Sequence, residues 1–254
     1  MKKWLKITLS IIGFLLIVSF IWFDLFFWQK NNNFFETNLK EASRENNLII
    51  IFNSGGFGFV NPDQAWDFKP LIEGIKKGAE DLGYKVAVVP YYRTEDSLLG
   101  KAAYFKEAMF NFSKESKYLA NQLTEFSLFN QDKKIIIAGL SNGAAFTEAT
   151  IKKINCCENN IFAVEFGSPF WTEKKNQANI LYLNNNGKDT LSEGNIPALI
   201  WSLIKAPFVM SYARIAGNPI SFPEAMNVPG HQYEWQQVSP QILTFLSNNI
   251  KAKQ

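Results

Sequence analysis

Ser141 stands between two glycines in Gly139-Leu140-Ser141-Asn142-Gly143, a G-x-S-x-G pentapeptide. Ile135, Ile136 and Ile137 ahead of it read as a strand buried on both faces. Ala144 to Ala149 behind it read as a helix. A serine at a sharp strand-to-helix turn is held in strained backbone geometry with its hydroxyl clear of the sheet, the arrangement of a nucleophile elbow. The helix that starts there aims unpaired N–H groups and the positive end of its dipole at the same spot. The chemistry this allows is attack of the hydroxyl on an acyl carbonyl, with the N–H of Asn142 beside the developing oxyanion. The plainer reading is a tight turn whose serine only caps the helix.

A serine hydroxyl is a weak nucleophile at neutral pH and needs an adjacent base, itself oriented by an acid. His231 is the only histidine in the chain. It lies in the loop Val228-Pro-Gly-His231, and Ser239-Pro240 beyond it suit the N-cap and first turn of a terminal helix. Asp189 follows the apolar run Ile180 to Leu183 through Asn184-Asn-Asn-Gly-Lys, which puts it at a strand's carboxyl end, where open α/β sheets place their sites. Glu165 and Glu193 are the alternative acids. A surface histidine and a turn aspartate are the plainer readings of His231 and Asp189. After the early strand Leu48–Phe52 comes Asn53-Ser-Gly-Gly-Phe-Gly58, whose Gly56 or Phe57 is placed to give a second oxyanion N–H. No Gly-Lys-Ser/Thr follows it, so it is not a phosphate-binding P-loop.

The elements that position these groups follow from pattern. Leu71, Ile72, Ile75, Ala79 and Leu82 share one face of a helix opened by Pro70 and stopped by Gly83. Strands are expected over 84–89, 161–167 and 180–183, and helical structure over 98–129 with a break at 111–113. Alternating strands and helices imply an α/β fold: a mainly parallel sheet with helices on both faces. The apolar stretch 196–210 is too broken by Lys205 and two prolines to span a bilayer. It reads either as a core helix packed on the sheet or as a lid or acyl-pocket wall.

At 254 residues the chain suits one hydrophobic core beyond its leading segment. From Ile7 to Phe23 no residue is charged, and with Trp4 and the run to Trp28 the apolar span reaches about 25 residues, enough to cross a membrane as a helix. Trp4, Trp22 and Trp28 suit its two interfaces, and no small-x-small cleavage site precedes Asn31. Lys2, Lys3 and Lys6 before the span place the N-terminus in the cytoplasm and the rest of the chain outside it. The expected organisation is a transmembrane anchor over 1–30, a tether over 31–46 and a catalytic domain over 47–254. The net charge of +3 belongs to residues 1–30, with four lysines and Asp24; the remainder holds 22 basic and 22 acidic residues. That neutrality gives no electrostatic case for nucleic acid. The two cysteines, Cys156 and Cys157, are adjacent, which excludes a disulfide framework.

Over roughly residues 47–250 the chain resembles the α/β-hydrolase superfamily, through Gly139-Leu-Ser-Asn-Gly143, Gly187-Lys-Asp189, and Gly230-His231 ahead of a terminal helix. Phe166-Gly-Ser-Pro169 also resembles fungal-type triacylglycerol lipases. The resemblance implies a reduced α/β-hydrolase fold and a serine esterase or lipase working through Ser141, His231 and Asp189, with an acyl-enzyme and no cofactor or metal. The partners expected are a small-molecule or lipid ester and the membrane. Ser54-Gly55-Gly56 departs from the His-Gly of many members. The rival readings are an acyltransferase with the same nucleophile and an inactive envelope binding or assembly module.

Overall fold

In the computed structural model, which describes residues 32–109, 111–157, 159–174, 177–220 and 222–250, five strands form one parallel sheet. They are β1 (Leu48–Asn53), β2 (Val86–Pro90), β3 (Lys134–Leu140), β4 (Ile161–Phe166) and β5 (Ile180–Leu183), in the order β2-β1-β3-β4-β5. The expected anchor over 1–30 lies outside the described residues. The helices are α1 (32–45), α2 (Lys69–Asp81), α3 (Leu98–Met109), α4 (Ser113–Phe129), α5 (Asn142–Ile151), α6 (Ile196–Ile215), α7 (Phe222–Met226) and α8 (Trp235–Asn249).

The isoleucine runs are shared between the two faces by the period of two that every strand obeys. Ile50 and Phe52 of β1, Ile136 and Ala138 of β3, and Val164 and Phe166 of β4 face α2 and α8, meeting Leu71, Ile75, Ile242 and Leu246. Ile49, Ile51, Ile135, Ile137 and Ala163 face the other way, onto Phe35 and Leu39 of α1, Leu119 and Leu123 of α4, and Phe146 and Ala149 of α5. Both faces are dry, which is why these strands read as continuous apolar runs.

Two stretches differ from expectation, and a third loses one of its two readings. Residues 32–45 form a helix that buries Phe35 and Leu39, so most of the expected tether belongs to the folded domain. The terminal helix starts at Trp235, not at Ser239, and contains Pro240. Trp235 lies over Gly74 of α2 and Val238 is buried, so packing extends the helix back by a turn past its proline. The stretch 196–210 lies within α6, a helix whose only buried residues are Ser202 and Ala206. It is not a core helix.

The strand order has a consequence for function. The chain leaves β1 for β2 on one side and then returns to place β3 on the other, so a crevice opens outside the carboxyl ends of β1 and β3. Ligands of open α/β sheets bind at such a switch point. The loop after β1 and the pentapeptide after β3 both end there.

Beneath α5, Glu165 of β4 is wholly buried and its pKa is pushed well above the usual carboxylate range, first by burial and then by the neighbouring Glu148. A carboxyl whose folded pKa is raised holds its proton in the native state after the unfolded chain has released its own. Stability is therefore present in full below pH 4.5 and falls as pH rises from there towards the folded pKa. Glu165→Gln carries no such proton. Its melting temperature, followed from pH 5 to 8, is expected to fall less with pH than that of the unmodified chain.

Candidate active site

Ser141 has φ 55° and ψ −119°, outside the regions a side chain favours. Such a residue costs about 1–3 kcal/mol and persists only where its surroundings over-determine it. Here they do. The Ser141 N–H donates to the carbonyl of Phe166 at 2.8 Å. A Cβ on Gly139 would meet the Gly143 carbonyl oxygen at 2.5 Å, and one on Gly143 would collide with the carbonyl oxygen of Asn53. Strand, helix and the loop after β1 therefore cross at glycine distance. The N–H groups of Asn142 and its neighbours lie in the first turn of α5, where no intrahelical acceptor exists.

The loop after β1 is fastened to the elbow by Arg93. Its guanidinium donates to the carbonyls of Ser54 (2.5 Å) and Asn142 (3.2 Å) and lies 5.4–5.6 Å from the ring centres of Tyr104, Phe112 and Phe146. Within that loop, Ser54 and Gly55 adjoin the elbow: the Ser54 carbonyl faces Gly143, and Gly55 lies against the carbonyl of Leu140. Gly56 is exposed with open space around it, and Phe57 packs edge-on against Tyr104. Arg93 was not legible as part of the site, since nothing near it in sequence marks a buried arginine.

His231 and Asp189 meet. Nδ1 of His231 is 2.9 Å from Oδ2 of Asp189, a carboxylate with no exposed surface. Asp189 also accepts from the backbone N–H groups of Leu191 (2.9 Å) and Ser192 (3.2 Å), the Ser192 hydroxyl (3.3 Å) and the Tyr233 hydroxyl (2.5 Å). Burial opposes its charge, but His231, Tyr233 and the Ser192 N–H outweigh burial and hold its pKa below the ordinary value. Burial and then the Asp189 charge push the Tyr233 phenol far upward, so it remains a donor. The two loops are laced together: Asn185 donates to the Gly230 carbonyl (2.9 Å), and Thr190 donates to Pro229 through both its N–H and its hydroxyl (3.1 Å each). Tyr233 could have been found from its spacing, because residues two apart on an extended segment share a side.

Gly167 links the pair to the elbow. It follows Phe166, whose carbonyl holds the Ser141 N–H, and it has φ +62°. A Cβ there would lie 2.5 Å from Cε1 of His231 and 2.7 Å from Oδ2 of Asp189. The imidazole therefore rests on the backbone next to the serine turn. The alternative acids lie elsewhere. Glu165 points to the α5 side of the sheet, with Glu148, and Glu193 accepts from Asn184 at 2.7 Å.

The sequence matches no protein-family model and no curated protein. Among solved structures it is similar to Trichoderma reesei cutinase in complex with a C11Y4 phosphonate inhibitor, with a TM-score of 0.47 and 13% identity over 88% of this chain and 90% of that one. At that level of similarity the chemistry of the site rests on its own geometry.

Gly167→Ala places a methyl group where the imidazole sits, in a backbone conformation alanine resists. Displacing a catalytic group by about 1 Å costs about 10²-fold. If the site turns over an acyl substrate, the expected result is a fall of that size in its kcat, with the far-ultraviolet circular dichroism of the fold retained.

Proposed function

We propose that the protein is a membrane-tethered serine hydrolase of carboxylic esters, with Ser141 as nucleophile, His231 as base and Asp189 as the acid that orients it. The observation that carries the reading is the His231–Asp189 contact at 2.9 Å, pressed against Gly167 beside a serine with positive φ. His231 uses Nδ1 on Asp189, which leaves Nε2 to take the Ser141 proton as the hydroxyl attacks the acyl carbon. The oxyanion that forms is met by the N–H of Asn142 and by a second N–H from the loop after β1, where Gly56 and Phe57 were the sequence candidates. Each such donor is worth about 10²–10³ in turnover. The imidazolium returns its proton to the departing alcohol, and water, activated by the same base, releases the acid. The chemistry needs no cofactor or metal. The residues over 4–28 would hold the domain on the extracytoplasmic side of a membrane.

An acyltransferase would share every step but the last. It is distinguished by product: an acylated alcohol instead of free acid when both water and an alcohol are offered.

A fluorophosphonate probe is expected to label the chain stoichiometrically and Ser141→Ala not at all. Asp189→Asn, which leaves the imidazole in the wrong tautomer, is expected to lower kcat by about 10⁴-fold. A chain that folds but takes no label would leave the inactive binding module as the reading. Across nitrophenyl esters of rising acyl length, activity is expected to increase beyond four carbons. A profile confined to the shortest esters overturns the lipophilic substrate.

A further inference from the structure

Helix α6 is the anomaly of the surface. It is 20 residues long, apolar enough by length and composition to cross a membrane, and buried only at Ser202 and Ala206. Ile200, Trp201, Ile204, Phe208 and Tyr212 are all exposed, Trp201 by 65% and Phe208 by 73%. A helix that is apolar on every side belongs inside a core or a bilayer, and contiguous exposed apolar surface of this extent marks an interaction site. The question is what covers it.

The place of the helix in the fold answers that. Its root is fastened at the carboxyl edge of the sheet, where the Asn195 N–H donates to the Thr190 carbonyl at 2.9 Å, next to Asp189. Phe170 and Trp171, both exposed, adjoin that root, with Phe170 lying over Gly194. The described chain also begins at this edge. Phe34 and Phe35, at the start of α1, lie against Tyr92 and Tyr91, just past the carboxyl end of β2. The far end of α1 reaches the amino edge, where the Asn46 carbonyl accepts from Lys133. The uncharged run Ile7–Phe23 therefore precedes a chain that enters the domain on the side from which α6 projects. The charges agree. The ionisable groups of α6 other than Tyr212 are Lys205 and Arg214, both cations suited to lipid phosphates.

We propose that α6, with Phe170 and Trp171, lies in the surface of an anionic lipid bilayer and turns the mouth of the Ser141 site towards the membrane. The helix lies in the interface and does not span. Lys205 sits at its middle, and a charged lysine is costly at the bilayer centre. Although the helix is about 30 Å long, α7 begins seven residues after its end and packs against it, so the chain does not carry on to a far side. An apolar helix held at the interface sits about 5–10 Å into the headgroup and acyl boundary, with the long side chains of Lys205 and Arg214 reaching back to the phosphates. The inference stands on the exposure and position of α6 and needs no turnover by Ser141.

The test uses the full chain in vesicles of phosphatidylcholine with phosphatidylglycerol, carrying the photo-crosslinker benzoylphenylalanine at one position at a time. Positions 201 and 208 replace exposed aromatics on α6. Position 129 replaces Phe129, an equally exposed aromatic (81%) at the amino edge, where a fold-preserving control is needed. Lipid adducts at 201 and 208 are expected to exceed those at 129 by about ten-fold, as burial in the acyl boundary requires. Equal yields at all three positions overturn the proposal. So does capture at 208 of a second copy of the chain, or of the chain's own rim, which would make α6 a dimer contact or a lid. Fluorophosphonate labelling of the same samples reports Ser141 separately, so failure of the hydrolase reading and failure of membrane docking are distinguishable.

Discussion

A carboxylate with no access to water constrains the whole carboxyl edge of this sheet. Charge taken from solvent must be matched by donors, or the fold loses several kcal/mol. Asp189 is matched by two backbone N–H groups, a serine, a tyrosine and a histidine drawn from two loops more than 30 residues apart in sequence. None of these donors can be moved without exposing the others' dependence on it. The loop after β5 and the loop before α8 are thereby bound into one unit, and His231 is carried with them onto Gly167. The orientation of the imidazole is a by-product of satisfying a buried charge.

The sheet supplies the other half of the site. Parallel strands covered on both faces leave only their carboxyl ends open, and the reversal of order between β1 and β3 leaves a gap there that no crossover helix fills. Two glycines let α5 and the loop after β1 close on that gap. Arg93, set among three aromatic rings, bonds to carbonyls on both sides of it. Small residues where backbones cross and one delocalised cation beneath them make the elbow rigid enough to hold Ser141 at positive φ.

The same edge concentrates the protein's surface contradictions. Beyond residue 30 the chain is electrically neutral, its central strands are buried, and α6 carries a run of exposed large apolar side chains, with Phe170 and Trp171 beside its root. A domain able to bury Ile49–Ile51 completely has no difficulty hiding apolar surface. That it leaves Trp201 and Phe208 outside is what the proposed bilayer contact would account for.

What the sequence determined by itself was whatever depends on near neighbours along the chain. Strands whose residues are apolar on both faces, the helix face Leu71–Ile75–Ala79, and the glycine-flanked turn at Ser141 all follow from local periodicity and the size of glycine, and the parallel α/β sheet follows from their alternation. The placement of Asp189 at a strand end and of His231 before the last helix was legible in the same way. Their contact was expected only from the family resemblance and not from local pattern, because it is made between loops 42 residues apart. Tertiary structure alone decided among Asp189, Glu165 and Glu193 as the partner of His231, since the face on which a side chain lands depends on register across β4 and β5. It decided that Arg93 and Tyr233 belong to the site, that Trp235 pulls α8 past its proline, and that 32–45 is a packed helix. It also decided that α6 stays outside. Composition cannot separate a helix buried in a protein from one meant for lipid, because both are built of the same apolar residues and differ only in what surrounds them.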